Sequence, residues 1–365
     1  MDKTTEWSPL KSMLILQILV FLAGLAIAAR TVYSAIAVFV LPRSNQDFIG
    51  KLVFRAMRKG FNIPLRWTKN YEERDRVMSF YAPISTLALL PVWFVLIVIG
   101  YALMFWSAGA PSLFKALLIS GSSLLTLGFA TTTNVIETVL AFSEAALGLI
   151  MVSLLIAYLP TMYAAFQRRE AAVTMLEIRA GNPPSAVEMI LRYHRIHGFE
   201  HLRDIWVVWE AWFADIEESH TSLPALVFFR SPQPSRSWVT AAGAILDTAS
   251  LTLAAVDIPH EPQADLCIRA GYIALRRISD FFGVRYDPNP RRGDPISISR
   301  SEFDQACNEL ASLGVPIKQD REVAWLDYAG WRVNYDTVLL ALARITMAPK
   351  ALWTSDRTNK TNEMV

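Results

Sequence analysis

The residues best equipped for chemistry lie in one uncharged stretch, SSLLTLGFATTTN, Ser122 to Asn134. It carries serine and threonine hydroxyls, a lone glycine and the main-chain groups of a segment without helical periodicity. Long apolar runs stand on both sides, and a lipid-facing helix has no use for such residues. They suit a loop that turns back inside a protein-lined cavity, where non-helical backbone survives at membrane depth. Glu137 and Glu144 follow and are expected to place negative charge near its mouth. Elsewhere, His194, His197 and His201 have the three- and four-residue spacing of a metal or pH site on one helical face. Gly198 interrupts that helix and no cysteine stands nearby, so the three read as surface histidines among arginines. The two cysteines, Cys267 and Cys307, lack ligand-like spacing, which argues against a disulfide framework and a zinc site and fits a reducing compartment.

The elements that must position the loop are apolar and long. Hydrophobic residues make up 53% of the 365 and are concentrated before Tyr163, whereas the chain from Gln167 onward is charged and helical in pattern. Three segments reach the roughly 20 residues that a spanning helix needs: Met13 to Leu41, Pro83 to Trp106 and Thr138 to Phe166. The first is too long, and too thinly basic at its start (Lys3, Lys11), for a signal peptide. Arg30 within it is expected to snorkel to the headgroups, the alternative being an ion pair with another segment.

Basic residues crowd the connector after the first span, from Arg43 through Lys51, Arg55, Arg58, Lys59, Arg66, Lys69 and Arg74 to Arg76. Lys115 is the only one between spans two and three, and FQRRE follows the third. The positive-inside rule then puts the N-terminus outside and the C-terminal half in the cytoplasm, in an inner or plasma membrane crossed several times. Within the connector, DFIGKLVFRAMRKGF spaces Phe48, Leu52, Phe54 or Arg55, and Phe61 as an amphipathic helix with a cationic face. It is expected to lie against anionic membrane lipids. A formal net charge of +2 gives no reason to expect nucleic acid as a partner.

Between spans two and three, PSLFKALLISGSSLL opens on Pro111 and Ser112 like a helix start, yet is too short to cross. TLGFATTTN then returns without helix periodicity. A half-crossing helix with an extended return strand is a re-entrant loop. Span, short helix, TLGF and span resemble the pore module of the potassium channel superfamily, in particular bacterial two-span channels and the variant filters of two-pore-domain channels.

In that family the filter reads T-V-G-Y-G, and carbonyls from four copies replace the water shell of the ion. Thr126, Leu127, Gly128, Phe129 and Ala130 match those five places. The resemblance implies that Thr126 holds potassium at the innermost site through its hydroxyl and carbonyl. Leu127, Gly128 and Phe129 would add carbonyl rings, with Phe129 wedging the filter against its own pore helix. Ser120, Ser122 and Ser123 would hold the strand from behind.

The match departs from the pattern at Ala130, which replaces a glycine, and at Thr131, Thr132 and Thr133, which stand where an acid usually follows. A non-glycine residue at positive φ costs roughly 1–2 kcal/mol, so a distorted outermost site is expected. In the third span Gly148 and Pro160 stand where the family has hinges, although close helix packing equally explains a glycine. Glu144 is expected either to pair with backbone behind the filter or to face outer water. One loop cannot surround an ion, so the resemblance implies a homotetramer. The additional first span has no regular arginine series, which argues against a voltage sensor, and is expected at the periphery.

The chain therefore divides into an N-terminal transmembrane helix (1–42), a basic interfacial connector (43–81), a pore module (82–168) and a cytoplasmic helical domain (169–365). The fold expected is an all-α membrane protein with three transmembrane helices, a re-entrant pore helix and filter loop, and a cytoplasmic bundle. SRSWVTAAGAILDTASLTLAAVDI reads as a buried central helix whose apolar part, bracketed by Arg236 and Asp247, is too short to span. No G-x-G-x-x-G follows a strand and no β-roll pattern occurs, so neither a dinucleotide nor a cyclic-nucleotide module is expected. The function expected is a potassium-conducting cation channel with no cofactor, not an enzyme, with potassium as the transported ion and an unnamed cytoplasmic ligand or partner. The alternatives are a weakly selective cation channel and a membrane-anchored sensor or scaffold with a degenerate pore.

Overall fold

The computed structural model describes residues 7–41, 47–132 and 134–357. Expectations resting on Lys3, the Lys11 side chain, Arg43, Thr133 and the boundary between 42 and 43 lie outside the described residues. Those residues form helices and no strand, with one isolated antiparallel bridge between Val256 and Ile317. In chain order the helices are α1 (Trp7–Phe39), α2 (Phe48–Leu65), α3 (Tyr71–Ser79), α4 (Tyr81–Ser107), α5 (Leu113–Leu124) and α6 (Val135–Ala180). Then come α7 (Ala186–Arg195), α8 (Leu202–Ser222), α9 (Trp238–Ala255), α10 (Pro262–Phe281), α11 (Arg300–Ser312), α12 (Arg321–Arg332) and α13 (Asp336–Thr346).

Two compact units result, Met1–Arg66 with Phe80–Met162, and Trp67–Ser79 with Tyr163–Val365. Residues 67–79, read from the sequence as part of the membrane connector, thus belong with the C-terminal helices. Among the described residues four segments, rather than the three expected, are long and apolar enough to cross a membrane, the pattern of an all-α, multi-pass membrane protein.

In the first unit α1 and α4 meet at Gly24 and Gly100. A Cβ on Gly24 would lie 2.4 Å from the Gly100 carbonyl oxygen, and one on Gly100 2.8 Å from that of Gly24. Small residues let apolar helices approach this closely, which is how such helices associate where water supplies no drive. Trp93 of α4 is fully buried, and its Nε1 donates to Ser34 Oγ at 2.9 Å. The remainder of α1 exposes Leu14, Leu16, Ile18, Leu19 and Leu22, as a lipid-facing surface would. Arg30 is exposed, its guanidinium 5.4 Å from the Tyr33 ring.

Asp47 caps α2, accepting from the Gly50 N–H. Phe48 and Leu52 remain exposed, as an interfacial helix requires, but Phe54 and Phe61 turn onto the Tyr81 ring instead. The apolar stripe is therefore shared between outside and core.

The second unit is built around α9, which is buried along nearly all its length. The helix does not stop at Asp247. Its carboxylate is neutralised in the interior by Arg332, so α9 continues to Ala255 and its 18 residues equal the length of a candidate span. Trp206, Trp209, Trp212, Phe213 and Ile216 of α8 form the apolar face read from the sequence and pack into the same core.

The C-terminal part of α6 enters this unit through Arg169, which is fully buried. It donates to the carbonyls of Leu226 (2.8 Å) and Phe229 (2.7 Å), to Glu170 Oε1 (2.9 Å) and to His220 Nε2 (3.1 Å). A guanidinium only donates, so Nε2 accepts and the imidazole carries its proton on Nδ1. Burial, and then the charge of Arg169, hold His220 well below the usual histidine range.

Candidate functional site

Pro111 precedes α5, and Ser112, in extended conformation, caps it by accepting from the Lys115 N–H at 3.2 Å. The helix has 12 residues, about 18 Å at 1.5 Å per residue, against a hydrocarbon core of about 30 Å. It buries Ala116, Ile119, Ser120, Ser122 and Leu124.

Two reversed hydrogen bonds end it. The Leu127 N–H reaches the Ser122 carbonyl at 2.8 Å and the Thr126 N–H reaches that of Ser123 at 3.0 Å. This is a Schellman stop, which requires left-handed backbone at the residue after the helix cap and normally uses glycine. Here Thr126 takes that place, with φ +53°. A β-branched side chain in this region is a genuine outlier, and left-handed backbone costs a non-glycine residue roughly 1–2 kcal/mol. Gly128 follows with φ +72° and nothing within 4 Å of where a Cβ would stand. Ala130 is not among the residues at positive φ, so the strain expected there falls on Thr126 instead.

Thr126, Leu127, Gly128 and Phe129 are all exposed in the single chain, Leu127 by 60% and Phe129 by 62%. Phe129 is thus largely open in the single chain, where the resemblance implies a wedge against its own pore helix. Behind the loop, Ser122 Oγ accepts from the Ala130 N–H at 3.2 Å, a strand-holding role for a serine of α5. Ser120 Oγ lies 2.5 Å from Glu144 Oε1 and 3.2 Å from the Val98 carbonyl oxygen. Ser123 Oγ instead bonds back to the Ile119 carbonyl within its own helix.

Both acids are inside. Glu144 is 0% exposed and Glu137 is 1% exposed, so neither stands at the outer surface where negative charge was expected. Glu144 does not face water, and the hydrogen bond it makes is with the Ser120 hydroxyl, not with backbone.

Asn134 starts α6 by accepting from the Glu137 N–H at 2.9 Å, while its amide donates to the Ala108 carbonyl at 3.3 Å. Asn followed three residues later by Glu is a recognisable N-terminal signature that the sequence reading passed over. Gly148 sits where α6 crosses the end of α5. A Cβ there would lie 2.2 Å from the Leu124 carbonyl oxygen, so any larger residue would push α6 off α5 one residue before the loop begins. Of the two readings of Gly148, close packing is the one with a contact behind it. Pro160 is 12 residues further on, about 18 Å along a helix that continues unbroken to Ala180.

The five loop residues expected to form a site are therefore contiguous, four of them exposed and Ala130 half-buried, and Gly148 lies beside their origin, with Pro160 remote. What the loop offers is main-chain carbonyls and threonine hydroxyls, all oxygen and none charged. No group of three or more histidines, cysteines or acids able to hold a metal occurs among the described residues. Compared with protein-family models, curated proteins and solved structures, the chain finds no match in any of the three.

Proposed function

We propose that the chain is the subunit of a homotetrameric, passive cation channel that conducts potassium through carbonyl rings formed by Thr126 to Phe129. The observation that carries this reading is a strained, uncharged, exposed loop at the end of a half-crossing helix, held between two long apolar helices. Strain of this kind persists only where the surrounding structure over-determines it, and it clusters at functional sites. A β-branched residue at φ +53°, followed two residues later by a glycine at φ +72°, is a costly backbone for an ordinary helix stop, which would use glycine. The C-terminal end of α5 runs directly into this loop, and the partial negative charge of a helix C-terminus favours a cation there.

Thr126 serves as the innermost ligand of the potassium ion, and the exposed faces of Leu127 and Phe129 are covered by neighbouring copies. Basic residues on α2 and after the third span put the N-terminus outside and the second unit in the cytoplasm. Pro160 serves as the hinge position of the inner helix, and Gly148 seats that helix against the end of α5.

A second reading, a weakly selective cation channel, has its own support. Ala130 stands in the place of the last filter glycine but lacks its positive φ, which favours a distorted outermost site. Flux through purified protein in liposomes separates the two. Potassium uptake at least tenfold faster than sodium uptake is the result expected of the first reading. Equal uptake supports the second, and no uptake of either ion removes both.

A further inference from the structure

A cleft in the second unit gathers groups that the pore reading does not use. It is a small cleft, open to solvent, between the segment leading into α9, the end of α13 and α3, and Ser231, Arg230, Arg236, Ser237 and Asp75 are among its walls. Three features of it point to one kind of ligand.

Ser231 is 8% exposed and its hydroxyl has no hydrogen-bond partner, although a buried hydroxyl left unsatisfied costs about 1–3 kcal/mol. α9, an 18-residue helix, begins at the same cleft with Ser237 and Trp238, and so turns its positive dipole end toward it. Its cap Ser237 accepts from the Val239 N–H at 3.2 Å and keeps its own proton to donate.

The charges agree. Arg230 is spent, with Asp75 Oδ1 at 2.5 Å and the Thr346 carbonyl at 2.7 Å, so this pair cancels. Arg236 is held at the edge by Glu177 of α6, with Nε donating to Oε2 at 2.6 Å and Nη1 to Thr174 Oγ1 at 3.1 Å. Its side chain is 22% exposed, against 11% for Arg230, which leaves it more room to turn. With the Asp75 carboxylate neutralised by Arg230, the Ser231 and Ser237 hydroxyls each have a proton to give, and Arg236 stands at the edge, a set that favours an acceptor ligand.

We infer that this cleft binds a tetrahedral oxyanion, either free phosphate or the phosphate of a small monoester. The hydroxyls of Ser231 and Ser237 and the first N–H groups of α9 donate to it, and Arg236 balances its charge. An oxyanion so placed competes with Glu177 for Arg236 and is thereby felt by α6. Binding itself does not depend on ion conduction, so it can be tested whatever the pore does.

The test is calorimetric titration of the full chain in detergent with inorganic phosphate and with glycerol phosphate, against chloride at matched ionic strength. Saturable phosphate binding is expected in the parent and at least tenfold weaker binding in Ser231→Ala, whose melting temperature without phosphate should not fall, because the hydroxyl removed has no partner. Arg236→Gln should weaken binding as well. Tighter binding of the monoester identifies a metabolite as the source, and equal binding identifies free phosphate. Heats no larger than those of chloride, or equal affinities in the parent and Ser231→Ala, overturn the inference.

Discussion

Gly128→Asp is expected to leave a folded, assembled protein that carries potassium about a thousandfold more slowly than the parent. Nothing stands within 4 Å of the position a Cβ would take at Gly128, so the substitution meets no neighbour within its own chain. The left-handed backbone there is strained for any side chain, but Asp and Asn tolerate it best. The effect on conduction is electrostatic. Ions pass a ring of oxygens only if they bind weakly enough to leave. A carboxylate about 4 Å from the ion adds roughly 4 kcal/mol of attraction at an effective dielectric constant near 20. At 1.36 kcal/mol per factor of ten, release slows by about a thousandfold. Gly128→Ala, with the same backbone demand and no charge, should retain a much larger share of the flux. The measurement is potassium uptake into liposomes containing equal amounts of each protein. Flux in Gly128→Asp within threefold of the parent would mean that ions do not pass residue 128.

The second large effect concerns stability. Arg332 is 0% exposed and donates to both oxygens of Asp247 (2.5 and 2.7 Å), to Asp336 Oδ1 (2.7 Å) and to the Trp353 carbonyl (2.6 Å). It thereby joins α9, α12, α13 and the segment that follows. Asp247 further accepts from Tyr335 Oη at 2.9 Å, and Asp336 accepts from Ser297 Oγ at 2.6 Å. The partner carboxylates outweigh burial, and the Arg332 guanidinium is held well above its ordinary range, so it stays charged.

Arg332→Met strands two carboxylates in an apolar interior. Breaking a buried pair on one side destabilises by about 3–5 kcal/mol, which for many domains is most of the stability. Arg332→Met combined with Asp247→Leu should be less damaged than Arg332→Met alone, because one of the stranded charges is gone. Denaturant unfolding followed by tryptophan fluorescence reads this out. A loss below 1 kcal/mol in the single variant would show that the network holds little of the fold.

Much of the architecture was legible because it rests on patterns with a single physical cause. The long apolar runs around Leu19 and Ile97, and the Pro111-Ser112 start of a helix too short to span, each became the element expected. The apolar face of α8 at Trp206, Trp209 and Phe213 did so as well. Where pattern misled, a distant partner had decided. Asp247 looked like the end of an apolar stretch because Arg332, 85 residues away, cannot be seen from the local window.

Glu137 looked like a surface acid, and Glu144 stayed open between a place behind the filter and outer water, for the same reason. Their burial depends on how α6 packs, and the Ser120 hydroxyl that meets Glu144 lies 24 residues back. In the loop the place of strain was misassigned. Ala130 was compared with a glycine by motif position, whereas helix termination puts the left-handed residue at Thr126, two residues after α5 ends. That register is fixed by hydrogen bonds to Ser122 and Ser123, which a motif match does not contain.

The central claim is that oxygens of residues 126–129 from four subunits take the place of the water an ion sheds. Imaging the purified assembly in potassium by electron cryomicroscopy tests it most directly. The account predicts fourfold symmetry, Gly128 near the axis, and density for ions on that axis between Thr126 and Phe129. An assembly of another symmetry, or a fourfold one with Gly128 directed away from the axis, would contradict it.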